Sequence, residues 1–389
     1  MSQNQFNFDE LVNRVNTNSL KWDAASDGVL PMWVADMDFN VAPAIVEALR
    51  KRLNHAVFGY VHLPDSYYRS IIDWFARRHN WHIEPEWIKY IGGVVPALTV
   101  CVKAFTNPGD KVLIQTPVYT CFFSSIVNNG CEIEESRLLY ENNTYSIDFE
   151  DLERRAADPK VKLMIVCNPH NPACRVWTRE ELERMAEICI KNNVTIVSDE
   201  IHCELTKPGT SYVPMGVLSE EVQNHSVTCC SPTKAFNIAG LQVSNIVCKN
   251  AEMRAKIERA IEVNELGGVN PFGVEALQAA YNEGEQWLDE LRQYIWDNYI
   301  FLRDYINTNI PKLKVCELEG TYLAWVDCKA LNIKSDDLVK MLVEKGKVMP
   351  NPGTMYGEAG EGFIRINMAC PRSQLAIGLE RIANVVNNL

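Results

Sequence analysis

Between residues 88 and 248, short apolar runs alternate with stretches whose apolar positions recur at helical spacing. The runs fall at 88–91, 111–114, 131–134, 162–167, 194–198, 226–230 and 244–248. Runs this short and this continuously apolar predict strands covered on both faces. Helical patterns fit between several of them, at 98–105, 119–127 and 179–191, and the alternation predicts an α/β domain with a mostly parallel sheet flanked by helices. Ahead of it, 43–53 reads as an amphipathic helix with Pro43 in its first turn, and Pro64-Asp-Ser66 opens another at 67–78. After about residue 285 a long helix at 285–307 leads to strands at 322–327 and 363–367, with helices at 335–345 and 372–386. This predicts a smaller α+β domain, joined by an N-terminal arm at 1–39 that has little periodicity of either kind. The expected division is therefore 40–285 for the large domain, and 1–39 with 286–389 for the arm and small domain.

Composition narrows the function classes. The 389 residues are 47% hydrophobic, enough for a substantial core, and the formal net charge is -12. With no basic stripe to neutralise phosphates, nucleic-acid binding is not expected. No apolar run approaches the ~20 residues that span a bilayer, and the polar, acidic first ten residues lack a signal-peptide apolar region, so a cytoplasmic protein without membrane contact is expected. The thirteen cysteines are odd in number and form no C-x-x-C pair. Cys101, Cys167, Cys189 and Cys248 sit inside apolar runs, as buried small hydrophobes do. No metal site is expected.

Candidate chemistry gathers where strands end, the edge at which open α/β sheets bind ligands. Ser231-Pro-Thr-Lys234 follows the run 226–230 and sets one lysine among uncharged neighbours, where lost hydration lowers an amine pKa and makes Lys234 a candidate nucleophile. Gly92-Gly-Val-Val-Pro-Ala97 joins a strand to a helix start whose free N–H groups suit an anion. Tyr119 follows the next strand, where an aromatic can lie over a planar ring. Asn171 lies in the turn Asn168-Pro-His-Asn-Pro172, and Asp199 with His202 in Ser198-Asp-Glu-Ile-His202. Each has a structural alternative: a surface lysine, a plain turn, a core aromatic, a helix cap, a satisfied core histidine. Taken together, an anion turn, an aromatic, an amide, an acid and a lysine at successive strand ends match the needs of pyridoxal phosphate.

Further stretches carry a resemblance. With Ser19-Leu-Lys-Trp-Asp23, Pro31-Met-Trp-Val-Ala-Asp-Met-Asp-Phe39, Gly93-Val-Val-Pro-Ala97 and Phe363-Ile-Arg-Ile-Asn-Met-Ala-Cys-Pro-Arg372, the chain resembles the aspartate-aminotransferase superfamily of pyridoxal-phosphate enzymes over nearly its whole length. The arm motif and the Asn-Met-Ala-Cys-Pro-Arg ending are most similar to the MalY/PatB group of cystathionine β-lyases. The resemblance implies an aspartate-aminotransferase-like fold, pyridoxal 5'-phosphate as cofactor, and Lys234 as the residue that condenses with it. It implies that Asp199 keeps the ring nitrogen protonated, Asn171 bonds the ring oxygen and Tyr119 stacks on the ring. The Val94 and Val95 backbone and the Ser231 hydroxyl would hold the phosphate. Arg365 would grip the substrate carboxylate, with Ala35 against the substrate. Tyr60 would reach the phosphate of a neighbouring subunit, so a homodimer is implied.

The sequence departs from the superfamily at Ala173-Cys174, where relatives commonly carry Thr-Gly. It departs again at His202, counted with the cofactor site, where many aminotransferases have tyrosine, and at Gln242, where they often have a phosphate-binding arginine. The implied reaction is elimination of a thiol from Cβ of cystathionine or a related cysteine conjugate. Lys234 would be the Cα base and Tyr119 the proton donor, leaving pyruvate and ammonia. Transamination on the same fold and a regulatory binding role are the alternatives.

Overall fold

A computed structural model describes residues 5–389. Seven strands build the large sheet: β1 (Ile88–Ile91), β2 (Lys111–Thr116), β3 (Glu132–Arg137), β4 (Val161–Cys167), β5 (Thr195–Asp199), β6 (Ser226–Cys230) and β7 (Ser244–Val247). Their spatial order is β1-β7-β6-β5-β4-β2-β3, parallel except at β7, which runs against both its neighbours. All seven runs read from the sequence are strands, within three residues at either end. The reason for the continuous apolarity of the inner ones is visible in the alternation along each strand. Val112 and Ile114 enter one apolar layer and Leu113 the other; Leu163, Ile165 and Cys167 oppose Met164 and Val166 in the same way. Helices Val94–Phe105 and Ala251–Val263 cover one face. Asp65–His79, Arg179–Lys191 and Pro271–Glu283 cover the other. Cys229 and Cys230 point into opposite layers, and all thirteen cysteines are free, Cys121 alone being other than buried.

Helix starts follow ordinary capping chemistry. Thr178 and Glu181 exchange side-chain-to-backbone bonds at the head of Arg179–Lys191. The sequence pattern missed helices Phe149–Ala156, Ala251–Val263 and Pro271–Glu283, as well as the hairpin Leu139–Glu141/Thr144–Ser146.

A second, antiparallel sheet contains β8 (Lys314–Val315), β9 (Leu323–Asp327), β10 (Asn351–Pro352) and β11 (Phe363–Asn367) in the order β8-β9-β11-β10. The N-terminal arm is less featureless than its sequence suggests. It forms the short helix Leu20–Asp23, capped by Ser19, and the strand Leu30–Pro31, which pairs in parallel with Val348–Met349. Among the described residues, no helix is long and apolar enough to cross a membrane.

The arm is pinned by a buried ion cluster. Asp38 is 2% exposed, and its carboxylate accepts Arg14 Nη1 at 2.7 Å, Trp22 Nε1 at 2.8 Å, Lys21 Nζ at 2.7 Å and Gln374 Nε2 at 2.7 Å. Burial alone would push the Asp38 pKa up, but Lys21, Trp22 and Arg14 outweigh it and leave the carboxyl below its usual value. Lys21→Met should remove one of the two cations at this carboxylate, leaving Arg14, Trp22 and Gln374, and cost ~1.5–3 kcal/mol in urea unfolding at pH 7. A group with a depressed folded pKa stabilises above its unfolded value and loses that contribution as pH falls through the folded one, so the gap between variant and wild type should close below about pH 4.

Candidate active site

Because β7 alone is reversed, the carboxyl ends of β1, β2, β4, β5 and β6 share one edge of the sheet. Gly93, Tyr119, Asn171, Asp199 and Lys234 each lie within a few residues beyond those ends. At the first, helix Val94–Phe105 begins after Gly93, whose φ of 150° is glycine territory, and no side chain caps it. Its first N–H groups, Val94 and Val95, are therefore left for an anion. Val94 is buried and Val95 is exposed.

Lys234 Nζ donates to the Ala35 carbonyl at 2.6 Å, and the Tyr322 hydroxyl donates to the same oxygen at 2.8 Å. Burial, reinforced by the Arg365 charge, lowers the Lys234 amine to about 8, against the opposing pull of Asp36 and Asp199. Asp199 is 4% exposed and has the Ile201 amide at 3.1 Å. Burial raises its carboxyl to about 7, only partly offset by that bond and by Lys234. An acid and a base that each suffer from burial stand in one another's field.

Arg365 is buried on β11, an interior strand between β9 and β10, opposite both Trp325 and Asn351. That overturns the simplest reading of an arginine in such a run, a surface residue on an edge strand. Its Nη1 donates to Asn171 Oδ1 at 3.1 Å and its Nη2 to the Trp33 carbonyl at 2.9 Å, while its Nε has no partner. The guanidinium also stacks over the Tyr356 ring at 4.9 Å. Among the described residues no carboxylate forms an ion pair with it. A buried cation held only by neutral acceptors is a site that favours an incoming anion.

His202 is 3% exposed, with Nδ1 unpartnered and its ring edge-on to Tyr322 at 5.9 Å. Burial, with Lys234 and Arg365 nearby, pushes its pKa down to about 3, so the ring is neutral. Burial above all keeps the Tyr119 phenol protonated well beyond its ordinary range, with Arg365 pulling the other way. Ser231 is present but committed: its Oγ donates to the Val243 carbonyl at 2.6 Å and accepts the Thr233 amide at 3.1 Å. Tyr60 is fully exposed and lies outside this cluster, and Gln242 is exposed too.

Where relatives carry glycine, Cys174 takes φ 63° and keeps the left-handed turn in spite of its side chain. Its buried Sγ lies 3.2 Å from the carbonyls of both Pro172 and Leu323. Sequence reasoning missed Tyr322, Trp33, Asn351 and Tyr356. Tyr322 in particular heads an apolar run and reads as core. A separate His79, Cys203 and Glu204 group has ligand-type atoms close together. There, however, Glu204 already accepts Trp74 Nε1 at 2.7 Å, His79 Nε2 at 2.6 Å and Arg78 Nε at 3.2 Å, which makes it a satisfied ion network.

The whole chain has counterparts among known proteins. It is 45% identical over 381 residues to cystathionine beta-lyase PatB of Bacillus subtilis (strain 168), covering 97% of this chain and 98% of that one. It is 34% identical to protein MalY of Escherichia coli (strain K12), over 98% and 99% of the two chains. The structure superposes on cystalysin from Treponema denticola, which contains a pyridoxal 5'-phosphate cofactor, with TM-score 0.96 and 35% identity over 98% and 99% of the chains. The sequence model of aminotransferase class I and II matches residues 28–382, and this chain belongs to that family.

Proposed function

We propose that this protein is a pyridoxal-phosphate-dependent carbon–sulfur β-lyase, converting cystathionine or a related cysteine S-conjugate to pyruvate, ammonia and a thiol. The observation that carries the reading is the buried Arg365, which has no acidic partner and lies beside a partly buried amine, Lys234. The residues present fit the cofactor. The unpartnered His202 Nδ1, the raised Asp199 carboxyl and the uncapped start of helix Val94–Phe105 are three unmet demands, suited in turn to a ring oxygen, a ring N–H and a phosphate. When bound, pyridoxal phosphate supplies an aldehyde that condenses with an amine and a ring that accepts the electrons released at Cα.

In this reading the chain's own residues divide the work. The Val94 and Val95 N–H groups hold the phosphate, and Ser231 joins them only by turning its hydroxyl away from Val243. Asp199 keeps the proton on the ring nitrogen, while Asn171 and His202 stand at the ring oxygen and Tyr119 lies over the ring. Arg365 exchanges its neutral acceptors for the substrate α-carboxylate in a two-pronged bond, with Ala35 against the substrate. Lys234, whose depressed pKa of about 8 gives it a far larger neutral fraction near physiological pH than an ordinary lysine has, takes the Cα proton. Tyr119, which burial keeps protonated, gives its proton to the departing sulfur.

Tyr60, exposed here, reaches the phosphate of a second copy in a homodimer. The domain division 40–285 and 1–39 with 286–389 belongs to the same proposal. It is supported by the separation of the two sheets and by the pairing of Leu30–Pro31 with Val348–Met349. A cytoplasmic setting is in keeping with thirteen unpaired cysteines.

The reaction is tested by supplying cystathionine with no keto-acid acceptor. Pyruvate and thiol should appear, and Lys234→Ala should remove both the activity and the visible absorbance of the lysine-linked cofactor. Activity that depends on added 2-oxoglutarate would instead mean transamination. The neutral Lys234 amine is the reactive form, so cofactor uptake by the apoprotein should accelerate as pH rises through about 8, not through the 10.5 of an ordinary lysine. Arg365→Lys should raise KM by about tenfold or more, since a single ammonium cannot make the paired bonds of a guanidinium, while the visible band persists.

A further inference from the structure

The buried hydroxyl of Tyr322 has no part in the chemistry above, yet it shares one acceptor with Lys234. The Ala35 carbonyl receives Lys234 Nζ at 2.6 Å and Tyr322 Oη at 2.8 Å. That oxygen cannot drift, because its neighbours along the arm are held from the other side. Asn367 Nδ2 donates to Val34 and Asp36 carbonyls, both at 2.6 Å, and Asn351 Nδ2 donates to Trp33 at 3.0 Å. Tyr322 itself is fully buried, with the neutral His202 ring against its edge at 5.9 Å.

A second observation is independent of the hydrogen bonds. Thr321, immediately before Tyr322, has φ 73°, a conformation that a β-branched residue rarely adopts. One backbone and one side-chain contact hold it: Thr321 N donates to Leu205 O at 2.7 Å, and Leu323 N donates to the Thr321 Oγ1 hydroxyl at 3.2 Å. Strain of this kind persists where the surrounding structure fixes it, and it gathers at functional positions. Here it sets the direction in which the strand delivers the Tyr322 side chain.

We propose that Tyr322 is a positioning residue for Lys234: by holding the Ala35 carbonyl as a fixed, shared acceptor, it aims the lysine lone pair toward the substrate Cα. The inference rests on the lyase reading, in which the freed Lys234 is the Cα base. With one N–H committed to Ala35, the lone pair of the neutral amine points away from the arm. A carbonyl that also accepts the phenol is a weaker acceptor for an ammonium, so Tyr322 favours the neutral, basic amine. Removing the hydroxyl leaves the carbonyl bonded to Lys234 alone. No buried acceptor is orphaned, and the fold is expected to survive the change.

The test is Tyr322→Phe in the holoenzyme. The variant should keep the visible cofactor band, lose about tenfold in kcat with KM within about twofold, and move the acid limb of the kcat profile upward by about half a pH unit. In the apoprotein, NMR of the labelled lysine should show the Lys234 pKa rising in the same direction. An intact band with an unmoved acid limb, or an unmoved apoprotein pKa, overturns the assignment. If Tyr322→Phe fails to fold, Thr321→Gly takes its place: glycine tolerates φ 73° but is free to leave it, and the Leu323 N–H loses its Thr321 Oγ1 acceptor, so the chain folds while Tyr322 is no longer held in one direction. That variant should lower kcat without raising KM, and a kcat within about twofold of wild type sinks the proposal. A wild type that takes up no cofactor counts against the lyase reading itself, not against Tyr322 in particular.

Discussion

Five consecutive backbone carbonyls, Trp33 to Met37, are each captured by a side chain from elsewhere in the chain. Trp33 O accepts from Asn351 and Arg365, Val34 O from Asn367, and Ala35 O from Lys234 and Tyr322. Asp36 O accepts from Asn367 and Lys21, and Met37 O from Arg14 and Asn237. This segment has no helix or strand to satisfy its polar groups, and buried backbone polar groups demand partners. The solution joins the arm to both sheets at once. Arg365, Asn351 and Asn367 come from the antiparallel sheet, while Lys234 and Asn237 come from the turn after β6. The arm thus fixes the site's two principal cations relative to each other, and its Asp36 charge opposes part of the burial that lowers the Lys234 pKa. The Asp38 cluster, one residue further on, anchors the end of the strap with a buried ion pair.

The site held by this strap is electrostatically unfinished. Burial drives the Lys234 amine and the Asp199 carboxyl away from their charged forms, in opposite directions on the pH scale, and Arg365 has no anion to neutralise it. Each of these groups lowers the stability of the chain by itself, because each is desolvated without full compensation. A ligand that brings a protonated ring nitrogen to Asp199 and a carboxylate to Arg365 supplies the missing partners. Stability given up in the free chain therefore reappears as affinity and as reactivity, the trade expected where function requires an uncomfortable arrangement.

How much of this was legible in the sequence depends on what kind of force shapes each part. The inner strands were visible because both faces of the sheet are buried there, which leaves continuous apolar runs such as the one in β4; the edge strand β3 is more polar and its end was read three residues short. Lys234, Asp199 and Asn171 were visible because polar residues at the ends of such runs stand out. The strap was not, since side-chain bonds to backbone carbonyls have no period and the asparagines that make them are scattered from position 237 to 367. Arg365 stood out only through the resemblance, because one strand's sequence cannot say which strands flank it. Tyr322 was hidden for the opposite reason: its ring satisfies the core pattern, and only the structure shows where its hydroxyl goes. Ser231 matched a motif, yet its proton is already spent on Val243, a competition that no motif encodes.

Two residues in glycine-like conformations explain how the loop carrying Asn171 stays in register with the strand carrying Tyr322. Cys174 has φ 63° and Thr321 has φ 73°, and the two turns are bonded together: the amides of Glu319 and Gly320 donate to Cys174 O at 2.9 and 3.2 Å. The Cys174 sulfur closes the junction against Leu323 O at 3.2 Å. A glycine at 174 would relax the backbone but supply no sulfur, so the departure from the usual Thr-Gly exchanges conformational ease for a side-chain tie between the two sheets. Through that tie, Asn171 is set opposite Arg365 and Tyr322 opposite Ala35 by the same junction. The spacing between Arg365 and Lys234 is thereby built into strained backbone as well as into side-chain packing. Strain of this sort is tolerable only because two turns share it, each holding the other in a conformation that neither would adopt alone.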